Sequence, residues 1–251
     1  MIHPTAIVSP AAKIGKSIKI GAFSIIHDKV EIGDESEIGS HCEIGIATPL
    51  SDGSPLIIGA HSTIRSHSIF YAGSIFGDRL VTGHRVTVRE GTHAGLNLQI
   101  GTLSDIQGDC TIGDYVRLHS NVHIGKKSVV GNFVWIFPYV VLTNDPTPPS
   151  STLLGCEIGD YTAVATMSVV LPGVKIGQHC LIGAHACVGK NVADGMIAAG
   201  IPAKTLGPTS NIQLRDGSGL SAYPWTTHFH RGYPEEIIKQ WKKENDDNPL
   251  S

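Results

Sequence analysis

Residues 13–39 read KIGKSIKIGAFSIIHDKVEIGDESEIG, and an isoleucine returns at every sixth position: Ile14, Ile20, Ile26, Ile32 and Ile38. The same spacing continues from Ile2 to Val188 with two interruptions, and only Thr82 and Ala94 carry no large apolar side chain on it. A period of six does not fit the 3.6-residue turn of an α-helix, and the many glycines and β-branched residues also disfavour helix. The repeat therefore decides the architecture.

Each six-residue unit predicts one short strand followed by a turn. The residue two positions before the large apolar one is small or β-branched, as at Ser24, Cys42 and Val116. Because alternate residues of a strand face the same way, both side chains point inward. A glycine often follows the apolar residue, and we expect it to supply a positive φ at the corner. Strands this short must stack as a solenoid, with three units closing each of about ten triangular coils.

The repeat resembles that of the hexapeptide-repeat acyltransferases, a family whose fold is a left-handed parallel β-helix. MIHPTAIVSPAAKIG at 1–15 and IGAFSIIHDKVEIG at 20–33 are similar to the start of acyltransferases that acylate UDP-N-acetylglucosamine in lipid A synthesis. The segment from GHRVTVREGT at 83–92 to VVLTNDPTPPS at 140–150 is closer to nucleotide-sugar N-acetyltransferases of surface-polysaccharide pathways such as O-antigen biosynthesis. The resemblance covers residues 1 to about 205 and implies an all-β, left-handed solenoid that performs acyl transfer.

Composition limits the partners and the compartment. The chain has 251 residues, a net charge of −3 and no basic run, which argues against a nucleic-acid partner. It has no pattern of a signal peptide and no apolar run long enough to span a membrane, so we predict a cytoplasmic protein. Four of the five cysteines occupy small inward positions and no CxxC pair occurs, so we expect buried thiols and no metal requirement.

The chain divides into a β-helix domain at 1–204 and a C-terminal extension at 205–251. Two loop insertions interrupt the repeat near 46–57 and 144–157, where proline and glycine accumulate. We expect the second loop to carry binding groups, because TNDPTPPS resembles a segment of the sugar acyltransferases. Pro234 and two following glutamates, with lysines further on, predict a helix near 234–246. We expect it to cover the last coil as a hydrophobic cap, or to grip coenzyme A or a neighbouring subunit.

Stacking sorts the corners into three edges, because residues three units apart lie one above another. The first edge contains 83–85, 101–103, 119–121 and 137–139; the second contains 89–91, 107–109, 125–127 and 143–145; the third contains 77–79, 95–97, 113–115 and 131–133. The first two edges often replace the corner glycine with a larger side chain. One strand separates them, so His119 and Gln107 cannot meet within one chain. A homotrimer in which the first edge faces the second edge of the next subunit would bring them together.

Acyl transfer requires a group that removes a proton from the acceptor. His84 and His119 on the first edge are the candidate general bases, and His123 is a further candidate. Glu90 and Asp145 are the carboxylate alternatives, since an amine needs less help than a hydroxyl group to lose its proton. A separate group of histidines shares one outward position of the repeat and is predicted to be solvated: His41, His61, His67, His179 and His185.

Substrate and coenzyme contacts follow from the edges and from the resemblance. The predicted substrate-binding residues are Arg89, Gln107, Asn121, His123, Asn144 and Asp145. By resemblance, Glu90, Asn144 and Asp145 match family positions near the sugar amine and the thioester, and AGIPAK at 199–204 matches the motif that ends the prism near the CoA adenine. The predicted CoA-binding residues are Ala165, Ser168, Ala184, Lys190, Ile201, Pro202 and Lys204.

These observations predict an acetyl-CoA-dependent N-acyltransferase that acts on the amino group of a nucleotide-linked amino-deoxy sugar. The alternatives are an O-acyltransferase of a sugar or serine, or an acyl-carrier-dependent UDP-sugar acyltransferase, although the chain lacks a QDLKY-like insertion. A γ-class carbonic anhydrase on the same fold needs three histidines on one zinc ion, two of them five residues apart. Here the matching histidine pairs are four or six residues apart. A non-catalytic scaffold is the remaining alternative.

Overall fold

The computed structural model describes residues 1–247, with helix side chains up to residue 244. The fold is a left-handed parallel β-helix, which confirms the predicted fold class. Residues 248–251 of the predicted extension lie outside the described residues. Three sheets of ten, nine and eleven strands form the faces of the prism, in agreement with about ten coils.

The strands are mostly two residues long, and each pairs with the strand one coil away. Sheet one contains Ile7–Val8, Ile25–Ile26, Glu43–Ile46, Ile69–Tyr71, Thr87–Val88, Asp105–Ile106, His123–Ile124, Val141–Leu142, Val169–Val170 and Cys187–Val188. Sheet two contains Lys13–Ile14, Val30–Ile32, Leu56–Ile58, Ile75–Phe76, His93–Ala94, Thr111–Ile112, Val129–Val130, Glu157–Ile158 and Lys175–Ile176. Sheet three contains Lys19–Ile20, Glu37–Ile38, Thr63–Ile64, Val81–Thr82, Gln99–Ile100, Arg117–Leu118, Trp135–Ile136, Ala163–Val164, Leu181–Ile182, Met196–Ala199 and, antiparallel at its end, Lys204–Pro208. The first edge connects sheet three to sheet one, the second connects sheet one to sheet two, and the third connects sheet two to sheet three.

Large apolar residues of the repeat fill the interior as columns. Nearly all of them are fully buried, and the small inward cysteines Cys42, Cys110, Cys156 and Cys180 are buried with them. Where the repeat weakens, larger side chains compensate. Ala94 pairs with Phe76 on the adjacent coil, and the rings of Phe76 and Phe70 pack edge to face at 5.3 Å. The core therefore stays continuous through the middle coils.

The corner glycines have a different role from the one predicted. In a regular corner the glycine does not have a positive φ; the residue two positions later does, as at Ser17 (φ 56°), after Gly15, and Asn97 (φ 55°), after Gly95. The corner glycines are needed because the next coil lies against them. A Cβ on Gly39 would stand 2.6 Å from the backbone nitrogen of Ser66. A corner without glycine therefore has room for a side chain and does not give up a left-handed conformation.

The C-terminal arm, residues 209–247, packs along the third edge, so the predicted cap over the last coil is wrong. The rings of Tyr115, Phe133, Tyr161 and His179 stack on this edge at 4.8–5.2 Å, in register with the coils. Trp225, Tyr233 and Trp241 of the arm are buried against this stack. The arm contains the short 3-10 helices Thr209–Asn211 and Trp225–Thr227 and the α-helix Glu235–Asp247. His179, predicted to be solvated, is half-buried on Tyr161, and burial lowers its pKa.

Among residues 1–247, no helix has the length and apolar character needed to cross a membrane. The cytoplasmic location stays a prediction.

Candidate active site

His119 begins a corner of the first edge and turns toward sheet three. Its ring stacks on Phe137 at 4.8 Å and lies 5.9 Å from Trp135. Burial lowers the pKa of His119, so the imidazole is neutral at pH 7. Its side chain has no hydrogen-bond partner within the described part of the chain. His119 is therefore a half-buried neutral imidazole on an aromatic surface.

The other candidate base of the first edge, His84, lies two coils away from His119. Its side chain is exposed, and its backbone N–H donates to Oγ1 of Thr102 at 3.2 Å. At about 4.8 Å per coil, the two histidines are separated by about 10 Å along the prism. One chain therefore does not bring His84 and His119 to the same reacting atom.

Sheet one carries a histidine of the middle coils that is paired with a carboxylate. His123 stands directly above Asp105 in the parallel register. Nδ1 of His123 lies 3.1 Å and 3.0 Å from the two carboxylate oxygens of Asp105, and Gln107 donates its side-chain amide to the same carboxylate. Burial alone would raise the pKa of Asp105, but the hydrogen bonds from His123 and Gln107 outweigh it and lower the pKa. An ionised carboxylate can only accept, so Nδ1 is the donor, and the neutral tautomer of this imidazole has its lone pair on Nε2.

Glu90 is held firmly in a network on the second edge. Its carboxylate accepts from Nε of Arg89 at 2.9 Å and from the hydroxyl of Thr48, which belongs to the first loop insertion. The guanidinium of Arg89 also lies 4.9 Å above the ring of Tyr71. Burial alone would raise the pKa of Glu90, but the bonds from Arg89 and Thr48 outweigh it and lower the pKa. A carboxylate so placed suits substrate positioning better than proton removal.

Asp145 organises its own loop. Its carboxylate accepts from the hydroxyl of Ser150 at 2.7 Å and from the backbone N–H groups of Ser150 and Thr147, and these bonds lower its pKa. Asn144 is half-buried, and its backbone carbonyl accepts from Leu154 at 2.8 Å. The structure therefore gives Asp145 a structural role in the loop at 143–156 and leaves the Asn144 amide close to the second edge.

The remaining substrate residue of the first edge is Asn121. It holds the left-handed position of its corner with φ 58°, and its backbone N–H donates to Thr102 at 2.9 Å. It lies on the first edge, two residues before His123, whereas Gln107 lies on the second edge beyond the same sheet. Sheet one thus separates the first edge from the second, as the stacking of the six-residue units predicts.

The predicted coenzyme contacts occupy three different places. Lys190, Pro202 and Lys204 line one cleft at the end of the prism, with Ile201 largely exposed beside it. Ala165 and Ala184 lie on the first edge. Ser168 is fully buried and donates to the carbonyl of Gly183 at 2.9 Å, so its side chain faces the interior and is out of reach of a pantetheine arm.

Sequence reasoning missed several residues of this surface. Asp105 lies at an outward strand position, and only its register with His123 shows its use. Arg117 is 5% exposed and its guanidinium donates to the carbonyls of Asn97 and Gly232, the latter in the arm. Burial lowers the pKa of Arg117. No sequence signal indicated that the arm would fold over this strand.

Within the described part of the chain, no three His, Cys, Asp or Glu side chains come close enough to hold one metal ion. The middle coils offer a histidine with an orienting carboxylate on sheet one and the guanidinium of Arg89 on the second edge. This set can remove a proton from an acceptor group and bind anionic parts of a substrate.

Known proteins share the repeat and the fold of this chain. The family model described as bacterial transferase hexapeptide (six repeats) matches residues 1–45 and 155–190. An acyl-[acyl-carrier-protein]–UDP-N-acetylglucosamine O-acyltransferase of Burkholderia lata is 34% identical over 129 residues, which cover 51% of this chain and 44% of that protein. The chain thus matches less than half the length of this curated relative.

Two solved structures share the fold over the whole chain. The UDP-N-acetylglucosamine acyltransferase of Arabidopsis has a TM-score of 0.57 at 18% identity, covering 100% of this chain and 91% of that one. The corresponding enzyme of Campylobacter jejuni has a TM-score of 0.52 at 22% identity, covering 100% and 92%. The predicted resemblance to hexapeptide-repeat acyltransferases is confirmed. The name of the Burkholderia relative matches the acyl-carrier-dependent alternative and not the N-acetyltransferase prediction.

Proposed function

We propose that this chain, a hexapeptide-repeat protein similar to acyltransferases, transfers an acyl group from a thioester to a hydroxyl group of a nucleotide-linked sugar. The curated relatives from Burkholderia support this choice, because their name specifies an O-acyltransferase that uses an acyl carrier protein and UDP-N-acetylglucosamine. The N-acyl transfer from acetyl-CoA predicted by the sequence is the second candidate. Both share the thioester donor and the nucleotide sugar.

The pair of His123 and Asp105 is the observation that carries the proposal. A sugar hydroxyl is a weak nucleophile that must lose its proton as it attacks, whereas an amine with a pKa near 8 is already partly neutral. A carboxylate on Nδ1 fixes the imidazole tautomer and stabilises the imidazolium that forms. The bonds at 3.0 and 3.1 Å provide that arrangement. It suits a hydroxyl acceptor more than an amine.

In the proposed reaction, His123 acts first as a base and then as an acid. The sugar oxygen attacks the thioester carbonyl while Nε2 of His123 takes the hydroxyl proton, so that a tetrahedral intermediate forms. The carbon–sulfur bond then breaks, and the proton passes from His123 to the leaving thiolate. The proposed donor to the oxyanion is the Asn121 amide, two residues before His123 on the first edge. His119, His84 and Glu90 then serve substrate binding.

We also propose that the acyl donor is CoA or an acyl carrier protein and that the chain forms a homotrimer. Lys190 and Lys204 at the end cleft suit the phosphates of CoA or the single phosphate of a carrier-bound pantetheine, and both donors end in the same thiol. The homotrimer is supported by exposed apolar side chains on the first edge, where Leu103, Tyr139 and Met167 are each about half exposed. These residues would pack against the second edge of the next subunit.

The test is a matched panel of acceptors and donors. UDP-N-acetylglucosamine, a UDP-linked 3-amino sugar and serine are each incubated with acetyl-CoA, a long-chain acyl-CoA and an acyl carrier protein loaded with the same long chain. Thiol release and product mass are recorded. The proposal expects an ester of the nucleotide sugar. If an amide of the amino sugar is the only product, the second candidate is favoured. If no acceptor gives thiol release above the rate without acceptor, both candidates are contradicted.

A further inference from the structure

Gln107 is predicted from the sequence to bind substrate, but its side-chain amide already has a partner within the chain. Nε2 of Gln107 donates to the carboxylate of Asp105, and the same carboxylate accepts from Nδ1 of His123. The three side chains therefore form a line that runs from the second edge across sheet one to the proposed base. The proposed reaction needs the base and the carboxylate, and it leaves the amide without a role.

The second-edge corner that begins at Gln107 has room for this side chain. Its glycine is Gly108, which has a φ of 93° and where a Cβ would stand 2.5 Å from the carbonyl oxygen of Glu90. The backbone N–H of Gln107 donates to the coil above at 2.9 Å, so the start of the corner is fixed. Gly125 stands above Gln107 and has no side chain that could fill the space. The Gln107 side chain can therefore turn back along sheet one toward Asp105.

The Asp105 carboxylate needs a second donor to keep one orientation. Nδ1 of His123 lies almost midway between its two oxygens, at 3.1 and 3.0 Å, and a bond shared in this way is weaker than a single linear one. The side chain of His123 is 37% exposed and that of Asp105 is 32% exposed, so water competes for the same oxygens. The neighbouring strands of the ladder present Thr87 and Val141 at this position, and neither is charged. The amide of Gln107 therefore supplies the bond that fixes the carboxylate.

A neutral donor suits this place better than a cation. One coil below, in the same column, Arg89 meets Glu90, and the guanidinium neutralises that carboxylate. The carboxylate of Asp105 has to stabilise the imidazolium that forms on His123, so a neighbouring cation would oppose proton uptake. Gln107 supplies a hydrogen bond and leaves the negative charge of Asp105 to the histidine. The change from arginine to glutamine between these coils therefore separates a binding carboxylate from an orienting one.

We propose that Gln107 is a positioning residue of the reaction: its neutral amide holds the Asp105 carboxylate in line with Nδ1 of His123 and so keeps the lone pair of Nε2 available to the acceptor. The proposal rests on the proposed function and deepens it, because it moves Gln107 from the substrate contacts to the support of the base. It also accounts for a glutamine at a position where a regular corner carries glycine.

Steady-state kinetics separate positioning from substrate binding. Gln107→Met keeps the length of the side chain and removes its donor. We expect kcat to fall about tenfold with little change in KM, which is the effect of losing one hydrogen bond to a charged group. In an Asp105→Ala background the acceptor of the amide is gone, so adding Gln107→Met should lower kcat no further. An unchanged kcat, a raised KM, or an equal loss in both backgrounds would overturn the proposal.

A nitrogen NMR spectrum tests the positioning without any substrate. At about pH 8 the neutral imidazole of His123 should carry its proton on Nδ1, because Asp105 accepts there, and Gln107→Met should raise the fraction that carries it on Nε2. The His123 signal is assigned with His123→Ala. Gln107→Arg restores a donor but brings a cation to Asp105, so we expect it to keep the tautomer and still lower kcat. Unchanged nitrogen shifts in Gln107→Met, or wild-type kcat in Gln107→Arg, would overturn the proposal.

A similar pair elsewhere on the prism provides the control. Nε2 of Gln178 donates to the carboxylate of Asp194 at 3.3 Å on the third edge, so Gln178→Met removes the same kind of bond away from His123. It should leave kcat, KM and the nitrogen shifts unchanged, and circular dichroism first confirms the β-helix in each variant. If the acceptor panel yields no product, the proposed function fails, and the nitrogen shifts still decide whether Gln107 positions the pair.

Discussion

Trp241→Ala should release the C-terminal arm while leaving the prism folded. Trp241 is 2% exposed, and its ring lies 4.8 Å from Tyr233, 5.5 Å from Trp225 and 5.3 Å from Phe133 of the prism. Truncation of a buried tryptophan to alanine costs about 3–5 kcal/mol. At 1.4 kcal/mol per factor of ten, the open population of the arm should rise by about 10² to 10⁴. The parallel ladders involve none of these side chains, so the strands should keep their protection.

Hydrogen exchange by mass spectrometry measures both parts at once. We expect peptides covering Glu235–Asp247 to exchange faster by the factor given above, and peptides of sheets one and two to exchange at the wild-type rate. Lys242→Ala changes an exposed neighbour on the same helix and is the control. Equal acceleration in the arm and the prism would show that they unfold as one unit. An unchanged helix would show that the aromatic cluster does not hold the arm, and either result refutes the reasoning.

Three further experiments test other parts of the structure. Gly39→Ala should lower the free energy of unfolding by about 1–3 kcal/mol, because the new Cβ overlaps the next coil. Gly195→Ala has open space around its Cβ position and a φ of 68°, so it should lose only about 1–2 kcal/mol, from backbone strain. Denaturant unfolding measures both variants, and a larger loss in Gly195→Ala would contradict the corner geometry. The pKa of Glu90 is lowered in the fold, so its stabilisation is present above its unfolded value of about 4.3 and is lost as the pH falls through the folded value. In thermal unfolding, Arg89→Gln should therefore reduce stability at pH 7 and flatten the loss of stability that sets in below about pH 5. An unchanged pH profile would exclude a stabilising contribution from the pair of Arg89 and Glu90. In native protein, Cys187 should react first with a thiol reagent, because the other four cysteines are buried. Burial also raises the pKa of Cys110 to about 11 and that of Cys156 to about 12, so these thiols stay protonated. Rapid reaction of several thiols would contradict this packing.

The six-residue period was enough to predict the fold, because each buried column repeats the same inward pair of side chains. It predicted the wrong role for the corner glycines, since a period cannot distinguish a left-handed residue from one crowded by the next coil. Ser17 and Asn97 hold the left-handed position although neither is a glycine. The aromatic residues of 205–251 indicated a hydrophobic contact but carried no information about which face they would meet.

The candidate site was only partly predictable for a related reason. Corner residues stand out in a repeat, so His119, Glu90 and Gln107 were found at once. Asp105 and Arg117 occupy ordinary outward strand positions, and their importance depends on neighbours in the next coil or in the arm. Hydrogen bonds and charge pairing distinguish the two carboxylates: Glu90 is held by Arg89 and Thr48, while Asp105 orients His123.

The most direct test of the account is the steady-state kinetics of His123→Ala, Asp105→Asn and His84→Ala with the acceptor and donor that give product. If Nε2 of His123 removes the proton, His123→Ala should lower kcat by about 10²–10⁴ with little change in KM. Asp105→Asn should lower kcat less and alter the pH profile, because the carboxylate orients the imidazole and stabilises its cation. His84→Ala should leave kcat close to the wild-type value. Wild-type kcat in His123→Ala, with a large loss in His84→Ala, would contradict the account.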